Sequence, residues 1–179
     1  KKVLFVRVGR GSDYEVTENM TLKQLIQANN FTYISDSITE ENFPDDGRIR
    51  RRGKVEIRNF GKNMTSEAVI TELAKDSCRP ATVYELFDWS KDSKELNKNV
   101  VALGSVASSG GEQGVACVWF GRSGRGANRD WFDCGWSDGC WFAFIRESGA
   151  SEHKSLETLD SRVSSLERDM TKIKKFLIV

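Results

Sequence analysis

The sequence predicts an α+β fold with two helices and a small antiparallel sheet, followed by a C-terminal parallel coiled coil. Two helical segments lie next to each other between residues 65 and 92, and strand-like segments follow them as a group. A parallel sheet would require strands and helices to alternate, so this order favours the α+β class. Beyond residue 155 the apolar residues fall at alternating intervals of three and four, which is typical of a coiled coil.

The composition limits the class of protein. The chain has 179 residues, of which 39% are hydrophobic and 30% charged, and this fits one globular domain with appendages. Its formal net charge of +1 gives no overall field that would recruit nucleic acid, so we expect no nucleic-acid partner. The sequence has no apolar run approaching the roughly 20 residues that span a bilayer, so we expect no membrane span.

The N-terminal part predicts two strands and one short helix. Residues 3–8 form a β-branched apolar run that ends at a turn, and residues 55–60 alternate well enough for a second strand. Thr21 and Gln24 have the spacing of a capping box, which predicts a helix that begins after Thr21. The basic run at 45–54 has two interpretations, a phosphate site or a solvated hairpin tip. We favour the tip, because the chain is nearly neutral and no aromatic residues are interleaved.

Two adjacent helices are predicted in the middle of the chain. The segment from Thr65 places apolar residues on one side of a helix, and we expect Pro80 to end it. A second helix then begins at once, because Thr82 and Glu85 form a capping box. The sequence SCRPAT at 77–82 should therefore be a tight corner between the two helices.

Three more strands are predicted after the helices, at residues 100–106, 114–120 and 141–147. The last two flank an aromatic segment, WFGRSGRGANRDWFDCGWSDGCWF at 119–142, which holds four tryptophans among glycines, aspartates and arginines. Its apolar residues do not alternate cleanly, and its small polar residues favour irregular backbone. We therefore expect a long irregular insertion there.

The C-terminal segment has a heptad repeat. Seven apolar residues occupy its a and d positions: Leu156, Leu159, Val163, Leu166, Met170, Ile173 and Leu177. In a parallel in-register assembly Arg162 faces Glu167 and Asp169 faces Lys174, and both pairs are opposite in sign. The sequence RVSSLE also resembles a signature of parallel three-stranded coiled coils, so we predict a homotrimer. The alternative is a helix docked on its own domain, although about three heptads are marginal without partners.

The sequence favours a binding protein over an enzyme. It has none of the motifs for phosphate binding, dinucleotide binding or a nucleophile elbow. The four cysteines form no C-x-x-C pair and the single histidine, His153, lies outside the aromatic segment, so we expect no metal and no cofactor. Asp130 and Asp133 have a spacing that suits acid and base roles, but loop aspartates are usually solvated. A disulfide remains open, and no particular pair is indicated.

Two segments resemble C-type-lectin-like domains. DSCRPATVYELFDW at 76–89 looks like the turn between the two helices of that family. CWFAFIRE at 140–147 resembles its last strand, particularly in the branch of formylglycine-generating enzyme. The resemblance covers about residues 60–147.

This resemblance implies a division of the chain into three parts. Residues 61–148 would be the lectin-like domain, with a variable loop region at 117–141. Residues 1–60 would be a strand and helix extension packed on that domain. Residues 149–179 would be a linker and the trimeric coiled coil.

The chain also resembles the variable proteins of diversity-generating retroelements, which display hypermutated residues on a lectin-like fold. It shares ITEENFP, RPAT and ALGS segments with similar bacterial proteins, here at 38–44, 79–82 and 102–105. In those systems the adenines of template codons such as AAC are miscopied, and the resulting codons encode no Trp, Lys, Glu, Gln or Met. Between Gly121 and Cys140 the sequence has no Lys, Glu, Gln or Met.

The resemblance implies a ligand-binding surface in the aromatic segment. Trp131 and Trp136 would be fixed scaffold, and we expect them to point inward together with Phe142. A mixture of tryptophan, arginine and small polar residues is also typical of a paratope. The residues of the surface would be Cys117, Trp119, Phe120, Arg122, Ser123, Asn128, Asp130, Asp133, Cys134, Ser137, Asp138 and Cys140.

The function implied is that of a receptor-type protein that binds a protein ligand on another cell or virus, as a homotrimer at the cell surface or on a virion. The alternative is a virion or surface fibre tip of fixed specificity. The triplets with which calcium-dependent lectins hold sugar are absent, so we do not expect calcium-mediated carbohydrate binding. The oxidase branch uses a cysteine pair for copper chemistry, and Cys134 with Cys140 would be that pair here. Both lie where variation is expected, so an oxidase is the least favoured reading.

Overall fold

The structure is a computed structural model that describes residues 20–45, 55–95, 97–109 and 111–146. These belong to one compact unit, Lys1–Arg146. The predicted strand at 3–8, nearly all of the basic run at 45–54 and the predicted coiled coil at 149–179 lie outside the described residues. The described elements are α1 (Leu22–Asn29), β1 (Tyr33–Ile34), β2 (Val55–Asn59), α2 (Ser66–Lys75), β3 (Cys78–Pro80), α3 (Val83–Asp92), β4 (Lys98–Ser109), β5 (Glu112–Gly121), β6 (Gly124–Trp131) and β7 (Cys140–Arg146).

The seven described strands form one mixed sheet. Six of them lie in the order β1-β6-β5-β4-β7-β2, and β3 pairs with β7. The pairs β1–β6 and β4–β7 are parallel, and the others are antiparallel. The predicted α+β class is confirmed, but the sheet is larger than predicted and not purely antiparallel. Strands β1 and β3 are two and three residues long, which is too short for a periodic signal in the sequence.

The two faces of the sheet pack into separate cores. On one face, which we call the helix face, α1 and α3 cover side chains such as Val100 and Val118. On the opposite face, which we call the loop face, α2 and residues 132–139 cover side chains such as Val101 and Phe142. Successive residues of a strand alternate between these faces, so the face of each side chain follows from the register.

Helix α1 is tied to α3 by a buried amide. Thr21 and Gln24 form the predicted capping box, which confirms the start of α1. At the other end of α1, Asn29 Nδ2 donates to the carbonyl oxygen of Phe87 at 2.8 Å, and Asn29 Oδ1 accepts from Ser90 Oγ at 2.5 Å. An unpaired buried polar group would cost about 1–3 kcal/mol, so these bonds fix how the two helices meet.

Helix α3 is the most buried helix described, because every residue from Val83 to Ser90 is buried. Its predicted capping box is confirmed, with Thr82 as the N-cap. Glu85 is only 1% exposed, and its two carboxylate oxygens accept from Arg79 Nη1 and Nη2 at 2.9 and 2.8 Å. A buried carboxylate requires this kind of pairing, so the ion pair locks the segment before α3 to the helix itself.

The segment between α2 and α3 is a short strand and not a tight corner. Helix α2 ends at Lys75, because Asp76 caps it and Ser77 then adopts a positive φ of 54°. The expectation that Pro80 ends this helix is therefore wrong. Pro80 instead closes β3, where it lies opposite Phe144 of β7.

The RPAT and ALGS segments contact each other at this point. The N–H of Gly104 donates to the carbonyl oxygen of Ala81 at 2.9 Å. Ser105 Oγ accepts from the N–H of Val83, at the first turn of α3, at 3.2 Å. One backbone and one side-chain hydrogen bond thus join β4 to the start of α3.

Candidate ligand-binding surface

The first half of the aromatic segment is a regular hairpin. Strands β5 and β6 pair antiparallel over eight residue pairs, so the predicted irregular insertion is wrong for residues 121–131. Strand β6 shows no apolar periodicity in the sequence, because its loop face carries Gly126, Asn128 and Asp130 in place of apolar residues. Only residues 132–139 remain as an irregular connection.

The alternation of β6 separates its charges. Arg125 and Arg129 lie on the helix face, where Arg125 donates to the carbonyl oxygen of Ser90 and Arg129 to that of Glu112 at 3.1 Å. The loop face of the same strand holds the carboxylate of Asp130. The arginines of β6 are therefore used within the fold, while the aspartate lies on the loop face.

Five residues form one row across the loop face, close to the β5–β6 turn. The successive partners from β1 through β6, β5 and β4 to β7 are Tyr33, Gly126, Trp119, Asn99 and Cys140. The Trp119 ring lies against Gly126, where an added β-carbon would overlap the indole. Tyr33 is 55% exposed and Trp119 is partly exposed. We call Tyr33 and Trp119 the aromatic pair.

Asp130, Cys117 and Asn128 form a cluster next to the aromatic pair, which we call the polar cluster. Asp130 accepts hydrogen bonds from Cys117 Sγ at 2.9 Å and from Asn128 Nδ2 at 3.3 Å. Burial raises the pKa of the Cys117 thiol, and the hydrogen bond to Asp130 raises it further. Cys117 is therefore a protonated donor that orients the carboxylate, and it lacks the thiolate character of a nucleophile.

Residues 132–139, which we call the crossing loop, cross the loop face from the end of β6 to the start of β7. Trp136 anchors this loop. Trp136 is 5% exposed, and its ring meets Phe142 edge-on with centroids 6.1 Å apart. Its Nε1 donates to Ser66 Oγ at 2.9 Å, and Ser66 Oγ donates to the carbonyl oxygen of Phe132 at 2.5 Å. The predicted inward orientation of Trp136 and Phe142 is confirmed.

The remaining anchors hold this loop by its main chain. Met64 and Trp136 exchange two backbone hydrogen bonds, at 3.0 and 2.8 Å. Asn59 Nδ2 donates to the carbonyl oxygens of Asp138 and Cys140, at 2.6 and 2.7 Å. These contacts do not depend on the identity of the side chain at position 138.

The polar side chains of the loop lie at the surface. Asp133, Ser137 and Asp138 are exposed, and Cys134 is partly exposed. The main-chain N–H of Asp138 donates to Asn63 Oδ1 at 3.2 Å, which again uses the backbone. Cys134 and Cys140 are both free thiols in this structure.

Most of the residues predicted for the ligand surface lie on the loop face or in its connections. Those on strands are Cys117, Trp119, Asn128, Asp130 and Cys140, although Cys117 is buried. Those in the crossing loop are Asp133, Cys134, Ser137 and Asp138, and those in the β5–β6 turn are Arg122 and Ser123.

Two side chains contradict the expectations. Phe120 is 5% exposed and packs on the helix face against Trp89, with ring centroids 5.7 Å apart, so its assignment to the ligand surface is wrong. Trp131 is 46% exposed, although we expected it to point inward. It lies opposite Gly114 at the end of the hairpin, where the guanidinium of Arg129 lies 4.9 Å from its ring centre.

Sequence reasoning missed two residues of this face, Tyr33 and Asn99. Both lie outside the aromatic segment, and only strand pairing brings them beside Trp119. The Oδ1 atom of Asn99 is buried and has no hydrogen-bond partner in the described part of the chain. Their place beside Trp119 depends on strand register, which a single sequence does not show.

The described residues contain no group of three or more His, Cys, Asp or Glu side chains that could hold a metal ion. Among the same residues, no helix has both the length and the apolar character needed to cross a membrane.

No family model, curated protein or solved structure matches this chain. The geometry thus defines a surface with two aromatic rings, a polar cluster and an exposed loop.

Proposed function

We propose that the chain is a ligand-binding protein that recognises a protein ligand with its loop face and that varies this face at the level of the coding sequence. The surface consists of the aromatic pair, the polar cluster and the crossing loop at 132–139. Aromatic side chains supply large, rigid contact area, while Ser, Asn and Asp supply adaptable hydrogen bonds, as in a paratope.

The main support for this proposal is the way in which the crossing loop is anchored. Its anchors are the buried Trp136 and main-chain hydrogen bonds to Met64, Asn59 and Asn63. Replacing the exposed side chain of Asp138 would leave each of these bonds in place. Trp136 is also a residue that mutated AAC codons cannot encode. A surface that changes while the fold persists requires this division between fixed anchors and exposed side chains.

The order of the elements supports a lectin-like fold for the domain. Strand β2 precedes α2 and α3, strands β4 to β6 follow, and the last strand, β7, returns to pair with β2. The segment DSCRPATVYELFDW spans the passage from α2 to α3, in the place that the family resemblance implies.

We further propose that the heptad segment from Leu156 to Leu177 joins three copies in parallel. Linking three sites raises the effective concentration of ligand at each, so that weak single-site binding becomes strong. Such a protein would act at a cell surface or on a virion.

Comparison of the coding DNA of sibling isolates tests the proposal. We expect substitutions at adenine-derived codons for the exposed positions Asp133, Ser137 and Asp138, because the anchors of the loop are Trp136 and main-chain atoms and not these side chains. We expect Phe120 and Trp136 to stay unchanged, because both are buried. An invariant segment would contradict the proposal and favour a fibre tip of fixed specificity. An even spread of changes into the buried positions would also contradict it.

A further inference from the structure

The charges of the loop face indicate the chemistry of its ligand. Asp130 lies in the polar cluster on this face, and Asp133 and Asp138 are exposed on the loop that crosses it. The arginines of β6 are directed to the helix face. Arg58 of β2, on the loop face, is paired with Asp76 at 2.6 Å. Arg122 is exposed in the β5–β6 turn, three residues after Trp119. Among the residues that β5 and β6 place on this face, Asp130 is the only one with a charge.

The aromatic pair adds a second feature that suits a cation. Tyr33 and Trp119 flank Gly126 in the same row, and both rings are accessible from the loop face. The face of an aromatic ring attracts a cation by about 0.5–1 kcal/mol at an exposed site, and more where water is excluded. A guanidinium group gains most from such a surface, because it is planar and stacks on the ring.

Two acceptors lie on this face, and only one of them is open to a ligand. Asn99 Oδ1, next to Trp119, is buried without a partner in the described part of the chain. The other strong acceptor of the face is the carboxylate of Asp130. A basic ligand suits this carboxylate, whereas an acidic ligand would be repelled by it.

We propose that this face binds an extended, arginine-bearing segment of a protein ligand. The aromatic pair stacks against one guanidinium, and Asp130 pairs with a second basic side chain. From Gly126 to Asp130 the strand advances by about 13 Å, which matches two side chains four residues apart in an extended peptide. The inference rests on the proposed function, and it adds Tyr33 as a ligand contact that lies outside the diversified segment.

An array of extended Gly/Ser nonapeptides tests this inference with the full chain as probe. Each peptide is made in three versions that carry arginine, citrulline or glutamate at two positions four residues apart. We expect the arginine versions to bind at least about tenfold more strongly than the citrulline versions, and this preference to weaken as salt is raised. We expect Tyr33→Ala and Asp130→Asn each to reduce binding of the arginine versions by about fivefold or more.

Trp131→Ala is the matched control, because Trp131 is an exposed aromatic residue on the opposite face. It should leave binding unchanged, and circular dichroism should show all variants folded. Equal binding of arginine and citrulline versions, preference for glutamate, or the absence of binding to every peptide would overturn the inference. So would binding that persists in folded Tyr33→Ala and Asp130→Asn. None of these results would affect the pattern of coding substitutions, which tests the proposed function separately.

Discussion

Replacing Gly104 with alanine should destabilise the protein by about 3 kcal/mol. A β-carbon at this position would lie 2.6 Å from the carbonyl oxygens of both Pro80 and Ala81. These are backbone atoms, and the Gly104 N–H donates to Ala81 at 2.9 Å, so separation of the two segments would also break this hydrogen bond. Urea unfolding followed by circular dichroism measures the loss.

Gly135→Ala is the matched control for this substitution. Gly135 lies in the crossing loop, and an added β-carbon there would meet no atom within 4 Å. We expect its free energy of unfolding to stay within about 0.5 kcal/mol of the parent protein. If Gly104→Ala were as stable as Gly135→Ala, the contact between the RPAT and ALGS segments would not hold the fold as described.

Trp136→Ala should cost about 3–5 kcal/mol, which is the usual range for removing a buried tryptophan or phenylalanine. The substitution removes the ring contact with Phe142 and the hydrogen bond to Ser66. The crossing loop would lose its side-chain anchor, so the two backbone bonds between Met64 and residue 136 should open more often. Urea unfolding gives the global loss, and hydrogen exchange at these two amides reports the opening of the loop.

Two variants separate the anchoring role of Trp136 from the general effect of losing an indole. Trp131→Ala removes a ring that is 46% exposed, and we expect a loss below about 1 kcal/mol. Trp136→Phe keeps a ring near Phe142 but removes the donor to Ser66, so its loss should be intermediate. If hydrogen exchange at Met64 were unchanged in Trp136→Ala, the loop would not depend on this anchor.

The helix starts could be predicted from the sequence because their signals are local. Thr21 with Gln24 and Thr82 with Glu85 are capping boxes whose partners lie three residues apart, and both form. Strands β4, β5 and β7 could also be predicted, since each contains a run of buried apolar residues. Pro80 does not mark the end of α2 as predicted, because the helix stops at the positive φ of Ser77 and not at the proline.

The layout of the candidate surface could not be predicted in full, because it depends on strand register. Strand β6 carries Gly126, Asn128 and Asp130 on one face, so its alternation is polar and escapes a search for apolar periodicity. The same register sends Phe120 to the helix face, one residue after Trp119 on the loop face. Tyr33 and Asn99 join the surface only through pairing with distant strands.

We propose that the loop face holds side chains that can change while their anchors persist. The most direct measurement is the folded fraction of a library of the full chain, in which the codons for Asn128, Asp133, Ser137 and Asp138 are randomised together as NNC. A matched library randomises four buried positions in the same way, Phe120, Ala127, Trp136 and Phe142. Protease resistance of the displayed proteins reports folding. We expect most members of the first library and few of the second to fold, and equal folded fractions in the two libraries would contradict the claim.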